Sequence, residues 1–262
     1  MDLSIITDDW PHDPEEETQN IRKIVGVDGR LKLQIRLSNG VIQWEVEGRP
    51  DGEEPYGYES VLDYCQNLAE IHASLEGDDG EGFELDEAMV EELGDELLSF
   101  TRRRQAFMLM RDYEHAMRDA AHGLEILEMI RQYCTKPSAL LRYERRRPEL
   151  VADRSRSQAL LEVQKGRFKM ALLALTEGIR GIERFFRRLG LGAEVRNCDE
   201  RQDLIDFRRS LRERYHVPLT DGELLQSLRA EQQLAIQQED YEMAGRLRDK
   251  ITLLRARMGT AR

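Results

Sequence analysis

The sequence predicts a mainly α-helical protein with a small antiparallel β-hairpin or sheet near the N-terminus, followed by helical hairpins. Three observations carry that expectation. Apolar and polar residues alternate with a period of two between residues 21 and 48, on either side of an Asn-Gly step. After residue 84 the apolar positions recur at steps of three and four, the helical period. Between these stretches, Gly77-Asp78-Asp79-Gly80-Glu81-Gly82 carries neither period and reads as a flexible acidic linker.

Residues 1–20 are expected to form a disordered acidic tail. Trp10-Pro11, Pro14 and the Glu15–Glu17 run oppose regular structure and repel one another. A module over 21–76 follows. Leu31-Lys32-Leu33-Gln34-Ile35-Arg36-Leu37 alternates strictly, and Val41–Glu47 does so nearly as well. Ser38-Asn39-Gly40 lies between them, and Asn-Gly favours a hairpin turn because both residues tolerate positive φ. Asp28-Gly29 marks an earlier turn and makes Arg22–Val27 a third strand. The alternation places Lys32, Gln34 and Arg36 on an exposed face and Leu31, Leu33, Ile35 and Leu37 on the other. A sheet this small is marginal alone and must lay one face on something. After the turn-rich Gly48–Gly52, Tyr58–Ser74 reads as a helix with Val61, Leu62, Cys65, Leu68, Ala69 and Ile71 on its apolar stripe. The linker is placed at 77–84, a helical-hairpin bundle at 85–216 and a terminal helical hairpin at 217–262.

The bundle contains a repeat. Two helices, beginning near Arg111 and Gly166, superimpose at an offset of 55 residues. Tyr113, Ala116, Ala120, Leu124, Leu127, Ile130 and Cys134 then fall on Phe168, Ala171, Leu175, Ile179, Ile182, Phe185 and Leu189. Each follows another candidate helix, Leu85–Met110 and Pro148–Lys165, which makes two helix–turn–helix pairs. Gly166-x-Phe168-x-x-Ala171 resembles the second helix of a tetratricopeptide repeat, in which the small residue permits close helix approach. The offset exceeds the 34 residues of that repeat, so the resemblance implies tetratricopeptide-like hairpins in a compact bundle rather than a solenoid.

Composition removes several classes. Of 262 residues 40% are hydrophobic, yet no stretch approaches the roughly 18 apolar residues of a membrane span. Met1–Trp10 carries Asp2, Asp8 and Asp9 without the basic start of a signal peptide. Cys65, Cys134 and Cys198 are odd in number and far apart, so neither a disulfide framework nor a zinc ribbon is readable, and a reduced bacterial-style cytoplasm fits. The net charge of −12 divides unevenly: −21 over residues 1–100, +9 over 101–216 and zero over 217–262. Such a split marks modules or faces that attract one another, or a basic middle that meets an acidic partner such as nucleic acid.

Patterns for catalysis are absent. There is no G-x-x-x-x-G-K-[S/T] loop, no G-x-G-x-x-G after a strand, no G-x-S-x-G and no H-E-x-x-H. The expectation is a non-enzymatic chain with no cofactor and no metal. Asp112-x-x-His115 and Asp119-x-x-His122 have the spacing of a bundle metal pair, but no matching pair lies elsewhere. The arginines offer an alternative. Arg145, Arg146, Arg147, Arg180, Arg184 and Arg187 form a candidate nucleic-acid contact through counterion release. Against it, Glu177–Arg180 and Glu183–Arg187 sit at ion-pairing spacing, and no interleaved aromatics are available for base stacking.

The C-terminal stretch is the most informative. Thr220-Asp221-Gly222-Glu223 is a capping box that starts a helix carrying Leu224, Leu225, Leu228, Leu234 and Ala235. After a break near Gln238-Glu239-Asp240, a second helix carries Tyr241, Ala244, Leu247, Ile251, Leu254 and Met258, a narrow coiled-coil-like seam. The run Leu228-x6-Ala235-Ile236-x2-Glu239-Asp240-Tyr241-Glu242-x-Ala244-Gly245-x-Leu247-Arg248-Asp249-x-Ile251-x2-Leu254 resembles the UVR motif. That motif occurs in the UvrB helicase, in UvrC, in Clp-type unfoldases and in activators of bacterial protein arginine kinases. The chain departs from it at Ile236 and Gly245, where the family often has alanine. The resemblance implies protein–protein contact, with another such hairpin (a second copy included) or with a partner of the Clp-protease or excision-repair type. Its partner-binding residues would be Leu228, Ala235, Tyr241, Glu242, Ala244, Leu247, Arg248, Asp249, Ile251 and Leu254. The helicase core and nuclease residues of the repair enzymes are missing, as are the paired cysteines of the kinase activators.

Overall fold

The computed structural model describes residues 8–76 and 82–260. Among these the chain is mainly helical and forms two compact units, Met1–Leu211 and Arg212–Arg262. The first unit opens with strands β1 (Ile21–Val25), β2 (Leu31–Leu37) and β3 (Gly40–Glu45), antiparallel in the order β1-β2-β3. The hairpin turn differs from the Asn-Gly expectation. Leu37 pairs with Gly40, so Ser38 and Asn39 form the turn, and neither Asn39 nor Gly40 takes a positive φ. The Arg36 guanidinium fastens this turn through the carbonyls of Leu37 and Gly40.

The two faces of β2 correct the simple alternation. Leu33 is fully buried, but Lys32, Gln34 and Arg36 are buried too, whereas Leu31 and Leu37 at the strand ends are exposed. A central strand has polar neighbours on both sides. Lys32 pairs with Asp28 and Glu45, Gln34 accepts from Arg22 and donates to Gln43, and Arg36 also donates to the Trp10 carbonyl. That last bond involves the region expected to be a disordered tail. Residues 8–20 lie instead against the sheet: Trp10 donates to Gln19, Arg22 stacks over the Trp10 ring at 4.0 Å, and the Asp13 backbone and Asn20 side chain exchange hydrogen bonds. Residues 1–7 and the heart of the expected linker, 77–81, lie outside the described residues.

The helices of the first unit are α1 (Val61–Glu76), α2 (Glu87–Leu109), α3 (Tyr113–Tyr133), α4 (Pro137–Glu144), α5 (Arg147–Gln164), α6 (Phe168–Arg188) and α7 (Asp199–Arg214), whose last turn reaches into the second unit. Val61, Leu62 and Cys65 of α1 join Leu93, Leu97, Ile126, Leu127 and Ile130 in the main core. A second cluster seats the sheet on the end of α2, with Leu33 and Val46 against Ala106, Phe107 and Ala116. Glycines set the close approaches within the bundle. A Cβ at Gly94 would lie 2.3 Å from the Tyr143 hydroxyl, and one at Gly178 would lie 2.3 Å from Ser155 Oγ.

The 55-residue offset reappears in the backbone. At the α2–α3 junction Arg111 adopts φ 59°, and at the α5–α6 junction Gly166 adopts φ 70°. The hydrogen bonds that close the two turns correspond position by position. Asp112 N–H donates to Phe107 O at 2.9 Å, and Arg167 N–H donates to Glu162 O at 2.8 Å. Both turns are helix C-caps built on a left-handed residue, which glycine adopts freely and arginine does not.

Part of the arginine charge is internal. Arg103 and Arg104 are wholly buried. Arg103 forms a two-pronged pair with Asp119, both bonds 2.8 Å, and donates to the carbonyls of Glu45 and Gly48. It thereby ties sheet to bundle. Arg104 pairs with Glu149 and with Asp153 at 3.1 Å. The first hundred residues and the basic middle touch at Arg103, through the Glu45 and Gly48 carbonyls, and as opposite charges at Arg118, which pairs with Glu47.

Candidate functional site: the C-terminal hairpin

The second unit contains α8 (Asp221–Gln237) and α9 (Tyr241–Thr260), packed against each other. The start of α8 follows the sequence. Thr220 Oγ1 accepts from the Glu223 N–H, and the Glu223 carboxylate accepts from the Thr220 N–H at 3.0 Å. Arg212 donates to the same carboxylate. Burial pushes the Glu223 carboxyl up, but the bonds from the Thr220 backbone, Arg212 and the Thr220 hydroxyl outweigh it, and the group is held below the ordinary range. The turn is a left-handed cap on Glu239, φ 62°, closed by Asp240 N–H to Ala235 O at 2.9 Å. Asp240 Oδ1 then caps α9 by accepting from the Met243 N–H at 2.9 Å.

The seam near the turn is narrow because it is built of small residues. Ala235 and Ala244 face each other's helix with Leu247 and the half-buried Leu228. Ile251 and Leu254 are buried further along α9. These six are the buried part of the ten residues singled out from sequence. The other four are on the surface. Glu242 pairs with Arg246 one turn on, and Arg248 pairs with its own neighbour Asp249 at 3.0 Å rather than across the hairpin. Tyr241 was expected in the seam but is 71% exposed, and Leu234, also assigned to the apolar stripe, is 52% exposed. The reason is angular: Tyr241 opens α9 where the chain is still leaving the turn, and Leu234 precedes Ala235 by one residue, about 100° around the helix. With Ile236 and Met243 they place four exposed large apolar side chains within ten residues of chain about the turn.

Residues 222–257 match the UvrB/uvrC motif.

The UVR match therefore covers α8, the turn and most of α9, and leaves the first unit unassigned. No curated protein and no solved structure matches the chain. The UVR hairpin nevertheless shares a device with the first unit. A left-handed residue, a polar residue, an aromatic and, three positions on, an alanine recur at Arg111-Asp112-Tyr113-x-x-Ala116, Gly166-Arg167-Phe168-x-x-Ala171 and Glu239-Asp240-Tyr241-x-x-Ala244. The alanine is buried in all three. Tyr113 and Phe168 are half-buried, and only Tyr241 stands out in solvent. The third occurrence was legible in the sequence but is masked there by the different helix lengths.

The alternative arginine site does not assemble as one surface. Arg147 is held by Glu144 through bonds of 2.7 and 2.5 Å, and Arg180 pairs with Glu177 at 2.8 Å. Arg145, Arg146, Arg184 and Arg187 are exposed without an ion pair among the described residues, but of the six only Arg147 and Arg184 line a common groove. The two Asp-x-x-His pairs also part company. His115 contacts Asp112 at 2.8 Å and Glu47 at 3.0 Å, whereas Asp119 turns to Arg103 and His122 to Glu96 at 2.9 Å. Among the described residues no group of three or more His, Cys, Asp or Glu is placed to hold a metal ion. No helix among them is long and apolar enough to cross a membrane.

Proposed function

We propose that this chain is a non-enzymatic cytoplasmic adaptor that binds a protein partner through its UVR hairpin. The observation that carries the reading is the exposed aromatic. The same turn has its aromatic half-buried twice in the first unit, but leaves Tyr241 open in the hairpin. A large aromatic left in solvent favours a covering surface, and aromatic anchors dominate many interfaces. The buried Ala235–Ala244 seam serves as the scaffold that presents Tyr241. The partner is a second UVR hairpin, or a protein of the Clp-protease or excision-repair type, and the paired helices of the first unit act as a tetratricopeptide-like body.

The test is affinity capture with tagged full-length protein from its own host lysate, with and without nuclease. It runs beside a chain shortened to residues 1–216 and beside the variant Tyr241→Ala/Met243→Ala, which leaves the seam intact. A nuclease-resistant partner lost with both changes supports the reading. Capture that depends on nucleic acid and survives the shortening transfers the function to the arginines of the middle region.

A further inference from the structure

A groove of about 500 Å³ lies in the first unit between α3, α5 and α6. Its floor is apolar: Leu124 from α3, Val151 from α5, and Gly181 and Phe185 from α6. Gly181 is part of the reason a groove exists, since a Cβ there would reach within 3.2 Å of Val151 Cγ1 and fill the space between the two helices. The rim is cationic. Arg147 and Arg188 are both engaged by Glu144, at 2.5 and 3.2 Å. Arg154 and Arg184 face the same groove from α5 and α6, are exposed, and have no ion pair among the described residues. Of the two lining carboxylates, Glu128 pairs with Arg131 and with Arg147 at 3.7 Å, and Glu125 is exposed with no ion pair among the described residues.

We propose that this groove binds an acidic segment of a partner protein, one that seats an apolar side chain on the floor and sets carboxylates on Arg154 and Arg184. Charge complementarity selects the occupant. Two free guanidiniums flank an apolar floor, and guanidinium binds carboxylate with two parallel bonds. A nucleic-acid strand fits the same place poorly. Phe185 is buried and offers no face for base stacking, and Glu125 repels a continuous phosphate chain. This surface belongs to the first unit and stands independently of the UVR hairpin, so the adaptor would have two binding surfaces.

The probes are a fluorescently labelled peptide alternating leucines with pairs of glutamates, the same peptide with every glutamate replaced by glutamine, and a labelled single-stranded DNA. Each is titrated against the full-length chain, against Arg154→Glu/Arg184→Glu, and against the control Arg145→Glu/Arg146→Glu, which lies outside the groove. Helix content and thermal midpoint verify that both variants fold, as expected for exposed residues. The expected result is saturable binding of the glutamate peptide, weakened about tenfold by the groove variant and little by the control. Equal binding of the glutamate and glutamine peptides overturns the proposal, as does an unchanged affinity in the groove variant. Tighter binding of the DNA than the peptide, lost in the groove variant, overturns it in favour of a nucleic-acid surface.

Discussion

Three residues show how local chemistry is fixed by surroundings. Arg111 occupies the left-handed position that Gly166 fills one repeat later. A side chain in that conformation costs about 1 kcal/mol, so Arg111→Gly is expected to raise stability by about that amount, read as an upward shift of the thermal midpoint. Asp119 is the counter-charge to the buried Arg103. Asp119→Ala leaves that guanidinium unpaired and should cost about 3 kcal/mol in denaturant unfolding, whereas removing both charges with apolar residues of similar size should recover most of the loss. Cys65 is fully buried beside Glu96, and burial pushes its thiol up to about 12. Burial likewise pushes Cys198 up to about 11. A thiol reagent at neutral pH should therefore modify the half-exposed Cys134 first and reach the other two only on unfolding, as peptide mass mapping would show.

At the scale of elements, α8 and α9 each illustrate a different source of order. The start of α8 is dictated locally. Because the Glu223 carboxyl is held below its ordinary value of 4.5, its charge contributes stability that is fully present above that value. The contribution disappears as pH falls through the depressed folded-state value. Acid titration followed by helix content should show the hairpin of the full chain loosening in that window, and Glu223→Gln should flatten the response. Thr220→Ala should cost about 1 kcal/mol at neutral pH. The seam, by contrast, depends on fit. Ala244→Leu would wedge the helices apart where Ala235 faces it, and a loss of roughly 2 kcal/mol or more in hairpin stability is expected from overpacking. Hydrogen exchange of the α9 amides would locate that loss. The start of α1 has one local cap, Ser60 Oγ accepting from the Asp63 N–H at 3.0 Å, and a second that is not local. Its first amides, Val61 and Leu62, donate to Glu96 on α2 at 2.7 and 3.3 Å, a cap supplied from another helix. No local reading of residues 58–74 contains that information.

For the whole molecule, the compact units divide at Leu211–Arg212, within the last turn of α7. A chain shortened to residues 1–216 keeps that helix entire and should retain the helix content and main unfolding transition of the first unit, as circular dichroism would show. The paired helices α2–α3 and α5–α6, the three strands and the terminal hairpin were legible because each rests on short-range periodicity. Helices α4 and α7 were not individually marked, since each is short or strongly charged and its apolar residues are few. Within the candidate site, the seam alanines and leucines were legible from their spacing. The exposed Tyr241 was not, because a spacing rule assigns a residue to a stripe without saying whether anything covers that part of it.

The sequence by itself determined most of the elements and the motif: alternation made the sheet, capping chemistry began α8, and the Glu-Asp-Tyr-Glu-x-Ala run marked the UVR hairpin. Only the tertiary structure decided what each charge and aromatic does. Lys32, Arg36, Arg103 and Arg104 look solvent-bound in sequence and are buried, whereas Tyr241 looks like core and is exposed. The physical reason is range. Hydrophobic period and caps act over one or two helical turns. The partner that makes a buried arginine tolerable can come from distant chain, as Glu45, Gly48 and Asp119 do for Arg103.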